Sequence, residues 1–156
     1  MFEVIAFDAD DTLWHNEFIF IEAEKKFCKM HPAYKKEIVS LALSKKHVEN
    51  ISYFGYGIKG FVLSMIETSI DLTGKKISGS GIKKILDLGR EMLSAPVELL
   101  PKVFEVIEQL NKSYSLILIT KGDLMDQEKK FLRSGLVKFF SEIEIVIDKN
   151  TETYKK

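Results

Sequence analysis

The chain has 156 residues, 46% of them hydrophobic and 29% charged, with 23 basic residues set against 23 acidic ones. This composition suits a globular protein that buries one core, or one core and a small helical accessory. The charge balance offers no general attraction to nucleic acid or to an anionic membrane surface. A lone cysteine, Cys28, excludes an intrachain disulfide and a cysteine-based metal cage, and suits a reducing compartment.

The N-terminal run through Phe7 is too short and too acid-flanked for a signal peptide. No stretch approaches the ~18 uninterrupted apolar residues of a membrane helix. A cytoplasmic protein is expected, with neither nucleic acid nor membrane as partner. Residues 3–7 form an apolar, partly β-branched run closed at once by Asp8-Ala9-Asp10-Asp11. Such a run, ended by polar turn-formers, predicts a buried strand of the parallel-sheet kind.

From about residue 18 to residue 48 the period becomes helical. Phe20, Ala23, Phe27 and Met30 recur in steps of three and four, with Glu22, Glu24, Lys25 and Lys26 between them. His31-Pro32 breaks this helix, and a second is expected from near Tyr34. Residues 52–60 are rich in glycine and aromatics. Residues 61–70 predict a third helix, and residues 82–93 a fourth after a loop of glycine, serine and lysine. Cys28 reads as a small apolar filler, and His31 and His47 as surface residues.

Pro96 opens a connector, and Pro101 marks a helix start followed by Val103, Val106, Ile107 and Leu110. Residues 116–119 predict a second buried strand, closed by Thr120-Lys121-Gly122-Asp123. A polar-faced helix follows over 124–134, with Gly135 as its stop. Residues 143–147 predict a third strand, ending at Asp148-Lys149. Outside a long helical insertion the order is therefore βαβαβ, an α/β arrangement with a parallel sheet and right-handed crossovers. Ligands of such sheets sit at the carboxyl ends of the strands. Asp8, Thr120 and Lys149 fall at those ends.

Asp8 and Asp10 lie two apart just past a strand, where both can lean over its end. Two carboxylates this close repel unless a cation lies between them. Magnesium suits them, because it takes one or two carboxylates together with carbonyl, water and phosphate oxygens. Asp8 could then attack phosphorus to form an aspartyl phosphate. Asp10 would protonate the leaving alcohol and later activate water, a role commonly worth about 10²–10⁴ in rate. Thr120 and the amides of Lys121 and Gly122 could donate to phosphoryl oxygens. Lys149 would bring a fixed positive charge to the pentavalent state. Taken singly, each is an ordinary turn or surface residue. The case for a phosphate or metal site rests on their conjunction at matching strand ends.

Phe7-Asp8-Ala9-Asp10-Asp11-Thr12-Leu13-Trp14 resembles the first motif of the haloacid-dehalogenase-like hydrolase superfamily, Asp-x-Asp-x-Thr after an apolar strand. Residues 116–122 look like its second motif. Lys149 falls where the third-motif lysine lies, with Tyr154 five residues on; Lys155 and Lys156 are weaker candidates for that role. The resemblance implies a Rossmann-like core, here residues 1–14 and 97–156, and a C1-type helical cap over 15–96 that closes over the site and selects substrate. It implies Asp8 as nucleophile, with magnesium held by the Asp8 side chain and the Asp10 backbone carbonyl. An acid at position 10 indicates a phosphatase, or less often a phosphomutase, rather than a dehalogenase. The expected substrate is a small phosphorylated metabolite.

The family also has a fourth motif, an acidic pair on a further strand that completes the metal site. Residues 150–156 contain none. The expectation is a fragment of a longer protein, or a strand donated by a second copy in a homodimer, with the Asp8 strand left at a sheet edge. A chain so limited would bind magnesium weakly. Two other readings stay open, a phosphoacceptor resembling a receiver domain and a non-catalytic binding protein. Against the first stands the long helical insertion directly after the first strand. In the insertion, Tyr56 and Lys59 are candidate substrate contacts, with Lys59 meeting an anionic group; the competing reading puts the aromatics of 53–56 in the cap core. His15 and Asn16 either line the entrance or form the hinge into the cap. Trp14 reads as a packing anchor for that hinge.

Overall fold

A computed structural model describes residues 3–151 and 153–155, the last without its side chain. Lys156 and the Lys155 side chain therefore lie outside the described residues. The apolar runs form β1 (Val4–Phe7), β2 (Ser115–Lys121) and β3 (Glu142–Val146), paired in parallel in the order β1-β2-β3. Phe7 stands opposite Leu118, and Thr120 opposite Ile145. β2 lies between the other two and sends Leu116, Leu118 and Thr120 to one buried face. β1 is an edge strand among the described residues, and Val4 on it is half-exposed.

The chain divides into two compact units. One comprises Met1–Glu17 with Pro96–Lys156, and the other is Phe18–Ala95. In the first, α5 (Val103–Leu110) and α6 (Leu124–Arg133) are the connections between strands. Its core gathers Ala9, Leu13, Trp14, Ile107, Leu116, Leu118, Phe131, Leu136 and Phe139. The segments leaving for the insertion and returning from it are paired: His15 N–H donates to Glu98 O at 2.9 Å, and Leu100 N–H to Leu13 O at 3.0 Å.

The second unit is all helical, α1 (Glu17–Lys29) beginning at its boundary, then α2 (Lys36–Phe54), α3 (Ile58–Leu72) and α4 (Gly79–Ser94). α3 packs against both α2 and α4: Ile58, Phe61, Val62 and Met65 form one buried stripe at helical spacing, and the small residues Gly60 and Ser64 widen the buried face beyond it. Phe27, Val39, Leu43 and Ile85 complete the core around it. None of these helices is long and apolar enough to cross a membrane. Cys28 is buried as expected, and burial pushes its thiol pKa up, away from reactivity.

Two expectations are corrected here. α2 runs through the aromatic segment to Phe54, leaving only residues 55–57 as connector, and the aromatics do not enter the core: Tyr53 is 81% exposed and Phe54 and Tyr56 are also exposed. Nor are the two histidines surface residues. His31 is buried, its Nε2 2.8 Å from Ser69 Oγ, and packs edge-on to Phe27. His47 is half-buried, edge-on to Phe61, with Nδ1 3.5 Å from Ser64 Oγ. The small side chains on α3 make room for both rings, which periodicity alone could not show.

Two outcomes follow for the helical unit. A Cβ at Gly89 of α4 would fall 2.5 Å from Val62 Cγ2. Gly89→Ala would gain about 1 kcal/mol in helix propensity. Val62 is stiff at χ1, however, and overpacking costs about 1–3 kcal/mol. The urea midpoint followed by helical circular dichroism should therefore fall, and an unchanged or raised midpoint would show that the α3–α4 contact yields. The second outcome concerns pH. Burial lowers the pKa of both His31 and His47, so the folded chain binds their protons less readily than the unfolded chain. Stability from the neutral rings is then present above the unfolded value of about 6.5 and is lost as pH falls below it. Thermal melting should decline between about pH 6.5 and 5, less steeply in a His31→Gln, His47→Gln double variant. A flat wild-type profile over that range would rule this out.

Candidate active site

β1 ends at Phe7, and Asp8 begins the turn beyond it. Ala9 and Leu13 are both buried in the core below, and the Ala9 carbonyl accepts from Thr12 N–H (3.2 Å) and Leu13 N–H (2.7 Å). This turn is closed by Asp11, whose φ of 55° is left-handed, a conformation that Asp tolerates better than most residues. The Asp11 carboxylate caps the entry into α1 by accepting from the N–H groups of Asn16 and Glu17.

Asp8 keeps 48% of its side chain exposed. Its Oδ1 accepts from Ala9 N–H at 2.8 Å and from Lys149 Nζ at 2.5 Å. Lys149 follows β3, so the pair spans the whole carboxyl end of the sheet. Asp8 Oδ2 has no hydrogen-bond partner among the described residues. Between the two edge strands lies Thr120, 1% exposed at the end of β2. The structure thus brings Asp8, Thr120 and Lys149 to one end of one sheet.

Asp10 is held by Trp14 and by two residues of α6 that nothing in the local sequence marks as site residues, Gln127 and Lys130. Its Oδ1 accepts from Trp14 Nε1 at 2.8 Å and Lys130 Nζ at 2.7 Å, and its Oδ2 from Gln127 Nε2 at 2.7 Å. Trp14 is therefore a packing anchor, as expected, and also a donor to the motif's second acid. The Lys130 side chain is 8% exposed and also donates to Asn16 Oδ1 at 3.1 Å. Asn16 is thereby tied to α6, just before the start of α1. Asp126 Oδ2 stands 3.9 Å from the same ammonium. Burial pushes the Asp126 carboxyl above the usual carboxylate range, and Lys130 opposes that shift. Removing Lys130 would strand two carboxylates, a change that typically costs several kcal/mol.

Asp123 caps α6 by accepting from Asp126 N–H at 3.1 Å, which fixes the phase of the helix. That phase turns Asp126, Gln127 and Lys130 inward with Phe131 and leaves Leu124, Met125 and Leu132 exposed. The available signal was the recurrence of polar residues at helical spacing in the phase of Phe131. It was legible only as a polar face, and a polar face normally meets water.

One expected donor is otherwise engaged. Gly122 N–H donates to Val146 O at 3.3 Å, extending the β2–β3 ladder, so it is not a free amide for phosphate. Lys121 Nζ stands 3.7 Å from Asp148 Oδ1. Tyr56 and Lys59 belong to the helical unit, where Lys59 and Arg90 border a groove of about 310 Å³ floored by Val62, Leu63, Leu86 and Leu93.

Magnesium finds part of a shell here. The Asp8 carboxylate has an open oxygen, and no described backbone N–H donates to the Asp10 carbonyl. These two oxygens fit an ion that keeps several waters and takes substrate phosphate as ligand. The Asp10 carboxylate is already taken by three donors. Among the described residues, no group of three or more His, Cys, Asp or Glu could hold a metal.

No protein-family model and no curated protein matches the chain. Solved structures do. A haloacid-dehalogenase-like family hydrolase from Xanthomonas campestris is similar at 40% identity and a TM-score of 0.91, over 99% of this chain and 65% of that one. The HAD-hydrolase YfnB from Bacillus subtilis, bound to magnesium, gives 18% identity and a TM-score of 0.60 over 92% of this chain and 63% of its own. L-2-haloacid dehalogenase from Xanthobacter autotrophicus gives 14% and 0.62 over 99% and 63%. The chain spans less than two thirds of each neighbour's length, and the last two likenesses concern fold alone.

Gly122 offers a test of how tightly this end of the sheet is built. Its φ is +149°, and a Cβ there would stand 3.0 Å from Gln127 Nε2 and 3.3 Å from its Cγ. Gly122→Ala should cost about 1–3 kcal/mol in urea unfolding through backbone strain and displacement of Gln127. Unchanged stability would mean that Gln127 moves aside freely.

Proposed function

We propose that this chain, which has the fold of the haloacid-dehalogenase-like hydrolases, serves a magnesium-dependent phosphohydrolase that acts on a small phosphorylated metabolite through an aspartyl phosphate at Asp8. The observation that carries the reading is the division of labour between two acids two residues apart. Asp8 is half-exposed with Oδ2 open, while Asp10 is fixed by Trp14, Gln127 and Lys130.

One oxygen of the Asp8 carboxylate would attack phosphorus as the bond to the leaving alkoxide breaks. Lys149, already on Oδ1, offsets negative charge as the phosphoryl group approaches. Asp10, entering the cycle with a proton on Oδ2, would pass it to the alkoxide, and as a carboxylate would then take one back from the water that cleaves the aspartyl phosphate and restores Asp8. An ordered acid supports phosphate-ester cleavage over dehalogenation on chemical grounds: an alkoxide needs a proton to leave, and a halide does not. Magnesium, held by the Asp8 carboxylate and the Asp10 carbonyl, would supply neutralisation of phosphate charge. The Thr120 hydroxyl, near the end of the central strand, would donate to a phosphoryl oxygen.

The test is phosphate release from an aryl phosphate with and without magnesium. Asp8→Asn should lower kcat by at least about a thousandfold, with the fold intact by circular dichroism. Full activity in that variant would refute the nucleophile. A wild-type protein that takes up phosphate on Asp8 from acetyl phosphate and holds it without turnover would instead be a phosphoacceptor.

A further inference from the structure

We propose that Lys130 and Gln127 are positioning residues that aim the Asp10 carboxylate, leaving one defined lone pair on Oδ2 for proton transfer with the leaving-group oxygen. The inference rests on the phosphohydrolase reading and deepens it. An ionised carboxylate has about four acceptor positions. Trp14 and Lys130 take two on Oδ1, and Gln127 takes one on Oδ2, at 2.7–2.8 Å. The geometry therefore leaves a single direction open to a proton.

Trp14 belongs to the Asp10 turn itself, whereas Lys130 and Gln127 reach it from α6. Lys130 also holds Asn16, where the chain leaves for the helical insertion. Gln127 Nε2 donates both to Asp10 Oδ2 and, at 3.2 Å, to the Lys121 carbonyl at the end of β2. One amide thus sets the distance between the acid and the strand end that carries Thr120. Gly122 packs against that same amide.

Stability is a poor explanation for the arrangement. α6 buries Asp126, Gln127 and Lys130 while exposing Leu124, Met125 and Leu132. A buried ion pair generally adds no more stability than apolar residues of similar volume would. What the polar face does provide is direction, since each bond constrains Asp10 at a different oxygen or angle.

The experiment compares two substrates with the purified protein, p-nitrophenyl phosphate, whose leaving group needs little help from an acid, and a simple alkyl phosphate, whose leaving group needs a proton. Lys130→Met should lower kcat on the alkyl phosphate roughly 10–100-fold and on the aryl phosphate by less than about threefold, with KM little changed. Lys130→Arg should recover part of the alkyl rate, and Lys129→Met, on the exposed face, should match wild type on both. If Lys130→Met does not fold, Gln127→Met keeps the ion pair and should show the same substrate-dependent loss. Equal losses on both substrates, or none, would overturn the positioning role while leaving the phosphohydrolase reading intact. No phosphate release by wild type from either substrate would overturn both.

Discussion

The bond between Lys130 and Asp10 ties the carboxyl end of this sheet together. The turn after β1 is anchored by Ala9, Leu13 and Trp14 in the core and by its own backbone bonds, and of its groups Trp14 alone, among the described residues, donates to the Asp10 carboxylate. Without a tether from elsewhere, the Asp10 side chain could adopt several rotamers. α6 supplies that tether from a helix whose own position is fixed by Phe131 in the core and by the Asp123 cap. A group held from a packed helix is placed more reproducibly than one carried by a loop, which is what proton transfer requires. The same helix reaches the β2 end through Gln127, so both loops share one reference.

Much of the fold could be read along the chain because its signals are local. Three short apolar runs closed by polar turn-formers gave three parallel strands, within a residue or two of their observed ends. The break at His31-Pro32 separated α1 from α2. What could not be read depends on distant partners. The aromatics at 53–56 look like core residues by composition, but α2 continues to Phe54 and leaves them facing outward. The histidines look like surface residues by type, but serines on α3 open space for them.

The site divides in the same way. Asp8, Thr120 and Lys149 were legible because βαβαβ order alone brings strand ends together, and Asp8 does meet Lys149 across the sheet. Lys130 and Gln127 were not, since a lysine and a glutamine on a helix rich in charge usually face water. Their burial depends on the phase of α6, which Asp123 and Phe131 set from opposite ends. The Gly122 amide looks open just past the second apolar run, but the β2–β3 ladder runs three residues beyond Ile119 and takes it.

Two carboxylates separated by one residue would repel if both relied on solvent. Here each has its own cation, brought from a different element. Lys149 meets Asp8 at an exposed, half-open place, where water screens the pair and either partner can be displaced by an incoming phosphoryl group. Lys130 meets Asp10 in a nearly closed one, where displacement would leave charge stranded. In the proposed reaction, the more exposed pair holds the residue whose covalent bonding changes, and the more buried pair holds the residue whose direction must not. That asymmetry would give two chemically identical side chains different work, and it follows from exposure: the Lys149 and Asp8 side chains are 22% and 48% exposed, those of Lys130 and Asp10 8% and 23%.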